Sequence, residues 1–275
     1  MKTWFITGIS RGLGKALAEA ALARGDTVVG TVRQDAPDFA RGKGELHVLT
    51  LDVADPAAAG PAITEALDRA GRIDVLVNNA GYGLLGAVEA ASDAEVSRLF
   101  ETNVFGPFRL IRAALPHMRR QGGGHIVNIT SIASRAPMAG SSLYAAAKSA
   151  MEGLSQGLEQ EAKAFGVRVT AVAPGGFRTD FLSDHSIRRS QAEDAYADNV
   201  GKVMAHFDEI AGRQGGDPDR AATAILTLVD SAEPPLHLLL GSDALRRARE
   251  KLDSVIEDID QWEGLTRSTD FPAEV

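Results

Sequence analysis

Seven short apolar runs recur along this chain, with helical patterning between most of them. They are Thr3–Ile6, Thr27–Val32, Leu46–Leu51, Ile73–Val77, His125–Ile129, Val167–Val172 and Leu236–Leu240. Each is near-continuously apolar rather than alternating, the mark of a strand covered on both faces. Strands of that kind, alternating with helices, predict a seven-stranded parallel sheet flanked by helices, doubly wound, in an α/β fold. The 275 residues suit a single domain of this class over 1–275. Cap signals mark helix starts. Asp55-Pro56 and Asp217-Pro218 each read as an N-cap followed by proline in the first helical position. Ser92 and Glu95 have capping-box spacing. Two regions break the rhythm: an insertion at about 181–216, and a C-terminal helical extension at about 243–275 with a charged helix over Asp243–Glu263.

The first strand runs into Thr7-Gly8-Ile9-Ser10-Arg11-Gly12-Leu13-Gly14, with a helix expected from about Lys15. Glycines make such a turn tight and let a pyrophosphate approach the backbone, where the bare N–H groups of the helix start meet its charge. At the first strand–helix junction this implies a Rossmann-like dinucleotide site. The second strand ends in Thr31-Val32-Arg33, with no acid before Asp35 to take a ribose 2′-hydroxyl. Arg33, aided by Arg11, offers guanidinium to a 2′-phosphate instead, so NADP(H) is expected over NAD(H). The plainer reading is that both arginines are solvated.

Tyr144 and Lys148 stand four residues apart on a predicted helix, hence on one face. A phenol has a pKa of ~10; a neighbouring ammonium favours the phenolate, fitting tyrosine to exchange a proton with a carbonyl or alcohol oxygen. Of the hydroxyls upstream, Ser131 lies at the carboxyl end of a strand, where ligands gather. Ser134 is the fallback, and Ser141 and Ser142 read as helix caps.

Together the glycine turn G-x-x-x-G-x-G, Asp52-Val53, Asn78-Asn79-Ala80-Gly81, Tyr144-x-x-x-Lys148 and Pro174-Gly175-Gly176-Phe177-Arg178-Thr179 resemble the classical branch of the short-chain dehydrogenase/reductase family, from residue 3 to about 180. The resemblance implies a catalytic set of Asn103, Ser131, Tyr144 and Lys148 that interconverts a carbonyl and an alcohol. Asn103 enters through the resemblance alone, as a residue that kinks a helix and holds a water joining the lysine to solvent. The cofactor would be held by Gly8, Ser10, Arg11, Gly12, Leu13, Gly14 and Arg33, by Asp52 and Val53 at the adenine, and by Asn79, Ala80 and Gly81. Tyr144, Lys148, Pro174, Gly175, Phe177 and Thr179 would complete the set, the last four at the nicotinamide. The insertion at about 181–216 follows directly on the nicotinamide loop, and its Tyr196, Val200, Val203, Met204 and Phe207 fall on one helical face; it is expected to be a lid over an apolar substrate, the plainer reading being that it merely packs on the domain. The C-terminal region is loosely similar to members acting on bulky carbonyls. A homodimer or homotetramer is implied, formed through Glu95–Arg119 and Ser142–Ala164 with Ala113, Ala114, Leu154 and Leu158 exposed.

Composition narrows the partners. The net charge of −8 argues against nucleic acid and anionic membranes. The chain has no cysteine, and its six histidines show no ligand spacing, so no metal is expected. No signal peptide or membrane span is visible, and a cytoplasmic enzyme with a small carbonyl or alcohol substrate is expected. Two rivals remain: a catalytically silent NADP(H)-binding regulator, and a sugar-nucleotide epimerase or dehydratase of the family's extended branch.

Overall fold

A computed structural model describes residues 1–34, 38–39, 42–183 and 185–271. Asp35 of the second-strand argument, Asp184 of the insertion and residues 272–275 of the extension lie outside the described residues.

The first half of the chain gives β1 (Thr3–Thr7), α1 (Gly12–Arg24), β2 (Thr27–Val32), β3 (Glu45–Thr50), α2 (Ala59–Ala70), β4 (Val75–Asn78), β5 (Gly83–Leu85) and α3 (Asp93–Phe100). A π-helical turn, Glu101–Phe105, joins α3 to α4 (Gly106–Arg120), and β6 (Gly124–Ile129) and α5 (Ser142–Ala162) come next. The remainder is β7 (Val167–Pro174), β8 (Ile187–Arg189), α6 (Lys202–Ile210), α7 (Pro218–Asp230), β9 (His237–Leu240) and α8 (Ser242–Arg267). Seven strands form one parallel sheet in the order β3-β2-β1-β4-β6-β7-β9.

Strand pleating sends alternate side chains to opposite faces. In β1, Trp4 and Ile6 join α1 and α7 in one core, while Phe5 joins α2, α4 and α5 in the other. That double burial is why the strands lack alternation. The order reverses between β1 and β4, and the carboxyl ends there open a crevice, the usual ligand position in such sheets.

Several local expectations hold. Ser92 and Glu95 form the reciprocal capping box of α3. Asp217 caps α7, with Pro218 at its first position. Asp55 does not cap α2. Its carboxylate accepts from Ala57 N–H in a turn, and the helix starts only at Ala59. α1 begins at Gly12, three residues earlier than expected, so two turn glycines belong to the helix. Ser141 occupies the N-cap position of α5, but its hydroxyl turns back to Met138. Ala114 and Leu158, expected to be exposed, are buried in the subunit core, while Ala113 and Leu154 are half-buried against it. The short parallel pair β5–β8 has no counterpart among the strands expected from the sequence.

Candidate active site

The crevice deepens into a cleft of about 960 Å³. Every residue expected to hold a cofactor lines it, as do Ser131, Tyr144 and Lys148. Asn103 lies behind it.

One wall is the glycine turn. Thr7 Oγ1 accepts the Asn79 and Ala80 N–H groups at 3.0 and 2.9 Å, and Asn79 Nδ2 donates to Thr7 O and Gly8 O at 2.8 and 3.1 Å. These bonds fix the ends of β1 and β4 against each other. A Cβ on Gly14 would collide with Gly8 O and Asn79 Nδ2, so this junction admits only glycine. α1 starts with no side-chain cap and no acid in its first turn. Its first N–H groups are unsatisfied within the helix and its dipole end is positive. A pyrophosphate is the chemistry that such a bare, glycine-lined helix start accepts. Arg33 is exposed beside it. Arg11 also lines the cleft, and its guanidinium reaches across to His185 O and Ser186 Oγ at 2.9 and 3.1 Å, tying the turn to the insertion.

On the next wall, Tyr144 and Lys148 are buried on one face of α5. Lys148 Nζ donates to Ile129 O at 2.7 Å and sits 5.9 Å from the Tyr144 ring centre. Burial pushes the tyrosine up to about 12, against a lowering hydrogen bond from Ser131, and pushes the lysine down to about 8. Desolvation therefore outweighs the ammonium's expected pull on the phenol in the protein alone. Ser131 also accepts the Ala133 N–H at 3.1 Å, which aims its hydroxyl. Ser134 is committed elsewhere, to Ser131 O and Glu152 Oε1. Asn103 is buried in the π turn, its amide spanning Tyr82 N and O at 3.1 and 2.8 Å. A Cβ on Gly81 would stand 2.9 Å from Asn103 Oδ1 and 3.6 Å from Lys148 Nζ, so asparagine, lysine and cleft floor meet at that glycine.

Three participants were not anticipated from the sequence. Phe181 packs its ring 5.9 Å from that of Tyr144. Glu152, buried behind the serine, accepts from Thr130 Oγ1 and Arg135 Nη2 at 2.6 and 3.0 Å. Asp243 at the start of α8 accepts the Gly176 N–H at 2.8 Å, holding the loop after β7. Glu152 stands one turn after Lys148, a spacing that could have flagged it. Asp243 is 67 residues from its partner, and nothing local announces it.

The insertion forms the last wall. Tyr196, Val200, Val203, Met204 and Phe207 are half-buried on one side of a segment made of a 3₁₀ turn, a π turn and α6. Val200 and Met204 press on Gly140, just ahead of α5. Phe207 and Ile210 line the cleft with Phe181 and Leu182. Among the described residues no cluster of three or more metal-ligating side chains occurs, and no helix is long and apolar enough to cross a membrane.

Residues 2–190 match the short chain dehydrogenase family. The chain belongs to that family and is an oxidoreductase of its type, a family whose members bind a nicotinamide cofactor. It is 41% identical to a short-chain dehydrogenase from Streptomyces avermitilis, whose structure matches 98% of this chain and 100% of that one with a TM-score of 0.89. The alcohol dehydrogenase of the archaeon Thermococcus sibiricus, solved with 5-hydroxy-NADP, is 25% identical with a TM-score of 0.69, covering 87% of this chain and 96% of that one. The 3-ketodihydrosphingosine reductase of Bacteroides thetaiotaomicron is 35% identical over 86% of each chain.

Proposed function

We propose that this protein is an NADP(H)-dependent enzyme interconverting a ketone or aldehyde with its alcohol, on a bulky, largely apolar substrate. The observation that carries the reading is the buried Tyr144–Lys148 pair at the crevice, with Ser131 bonded to the phenol. Gly12, Leu13 and Gly14 would receive the pyrophosphate, Arg33 the 2′-phosphate, Asp52 and Val53 the adenine, and Pro174, Gly175, Phe177 and Thr179 the nicotinamide. Bound there, the cofactor supplies or accepts the hydride.

With its pKa pushed to about 12, the Tyr144 hydroxyl is protonated at neutral pH. It is the proton donor to a carbonyl oxygen that receives hydride. Ser131 holds the same oxygen by a second hydrogen bond. Lys148, at about 8, is still mostly charged at neutral pH and stabilises the phenolate left behind. Asn103 acts through the Tyr82 backbone, keeping the floor beneath Lys148 in place. The apolar side of the insertion covers the substrate and excludes water. The 5-hydroxy-NADP bound to the archaeal relative and the 3-ketodihydrosphingosine in the name of the Bacteroides relative support cofactor and substrate class respectively.

The test is NADPH oxidation with a panel of aliphatic and aromatic ketones of increasing size, repeated with NADH. Turnover should favour NADPH and the larger ketones. Tight NADPH binding without turnover would leave a regulator, and substrate conversion without net cofactor oxidation would leave an epimerase.

A further inference from the structure

The helix α8 is anchored only at its base. Ala244 and Ala248 are its buried residues, packed beside Ile132 and Leu239. Arg247 donates to Ala136 O. From Val255 to Arg267 every residue is exposed, so the helix stands clear of its own subunit over roughly 20 Å at 1.5 Å per residue. That free stretch is not polar all round. Leu252, Val255, Ile259 and Trp262 repeat at a 3-4-3 spacing, and Ile256 and Leu265 flank them. Leu252, Ile259 and Trp262 are 62%, 61% and 56% exposed. A lone helix of this length is marginal in water, and such a stripe asks for a partner surface.

The charges say which partner. The helix is net basic early, where Arg246, Arg247, Arg249 and Lys251 outweigh Asp243 and Glu250, and net acidic later, where Asp253, Glu257, Asp258, Asp260 and Glu263 outweigh Arg267. Arg246–Glu250 and Arg267–Glu263 pair within the helix. Arg249, Lys251, Glu257, Asp258 and Asp260 have no ion pair among the described residues. Two parallel copies would set like charge on like. Two antiparallel copies set the basic segment of each against the acidic segment of the other, with apolar residues of the 3-4-3 stripe between them. Flanking charges set orientation in paired helices of this kind. The acidic tip also opposes docking on an anionic lipid surface.

We propose that α8 is a self-association surface, on which the α8 of a second copy lies antiparallel and closes a two-fold dimer. The test is sedimentation equilibrium of the full chain. The wild type should associate at micromolar concentration. Leu252→Glu with Ile259→Glu should halve the assembled mass while NADPH binding is retained, since neither residue lines the cleft. Arg249→Glu with Lys251→Glu should weaken association at least tenfold, and adding Asp258→Lys with Asp260→Lys should restore it. A monomeric wild type, or an assembly indifferent to the Leu252/Ile259 change, would overturn the surface. Absence of charge-reversal rescue would overturn the antiparallel partner. A wild type that is monomeric in solution yet binds phosphatidylcholine vesicles would assign the stripe to a membrane instead.

Discussion

The two walls of the cleft are built on opposite terms. The cofactor wall is backbone held by side chains: Thr7 and Asn79 knot two strand ends together, and a glycine sits where any Cβ would collide. The wall proposed for the substrate is mostly side chain, tied down by the short β5–β8 pairing, by Arg11 to His185 and Ser186, by Arg189 to Asp208, and by a bridge between Phe177 and Gly216. The first tolerates almost no substitution because backbone cannot repack. The second can exchange one apolar residue for another, because an apolar surface asks only for volume. A fold built this way keeps its redox chemistry while its substrate changes.

The sharpest test of that contrast is Tyr144→Phe. Its ring still packs on Phe181, so the protein should fold and bind NADPH normally. Turnover should fall by at least ~10²-fold, the low end for lost acid–base catalysis. Near-normal rates would remove Tyr144 from the mechanism. Next, Gly14→Ala should destabilise by ~1–3 kcal/mol, as overpacking does, and abolish detectable NADPH binding. Phe207→Leu on the opposite wall should cost less than half as much and leave that binding intact. Equal costs in chemical denaturation would erase the difference between the walls.

The sheet beneath both walls has its own signature. His125 is buried in β6 with Nε2 against Thr170 Oγ1 at 2.9 Å. That hydroxyl donates to Pro235 O, so the ring nitrogen carries the proton. Burial pushes the histidine from 6.5 down to about 4, so the fold holds it neutral. Stability from this site is complete above pH 6.5 and drains as the pH falls toward 4. Its share of the loss is about 2 kcal/mol by pH 5, and denaturation curves of wild type and His125→Val should converge by that amount between pH 7 and 5. Curves that stay parallel would show that the site does not titrate as described. Smaller again, Arg33→Ala should narrow the preference for NADPH over NADH by ~1–3 kcal/mol, the range for hydrogen bonds to a charged group. Equal dissociation constants in the wild type would remove the preference itself. The subtlest effect is hydrogen exchange across 185–216, which should slow when NADP⁺ and a non-reacting ketone analogue bind together; unchanged exchange in a saturated ternary complex would leave the insertion a fixed wall rather than a lid.

Legibility in the sequence divides along the same line. The seven strands could be read because burial on both faces writes itself as continuous apolar runs. The glycine turn and the Tyr144–Lys148 pair could be read because close approach and a shared helix face both constrain spacing. The insertion yielded its apolar side but not its π turn or β8, since three-residue pairing leaves no periodicity. Asp55 misled because a turn and a helix cap use the same Asx bond. Asp243's hold on Gly176 and Arg11's ties to His185 and Ser186 could not be read, because each partner lies far along the chain.

The π turn at Glu101–Phe105 carries a consequence for how this chain can vary in length. It holds one residue more than an α-helix would need between α3 and α4. Deleting one residue there would let the two helices fuse into one regular rod with their outer faces close to where they now lie, because the turn already absorbs the extra residue locally. What would be lost is the widened turn that presents the Asn103 amide to Tyr82. The helices on either side would tolerate a turn one residue shorter; the seat of Asn103 would not.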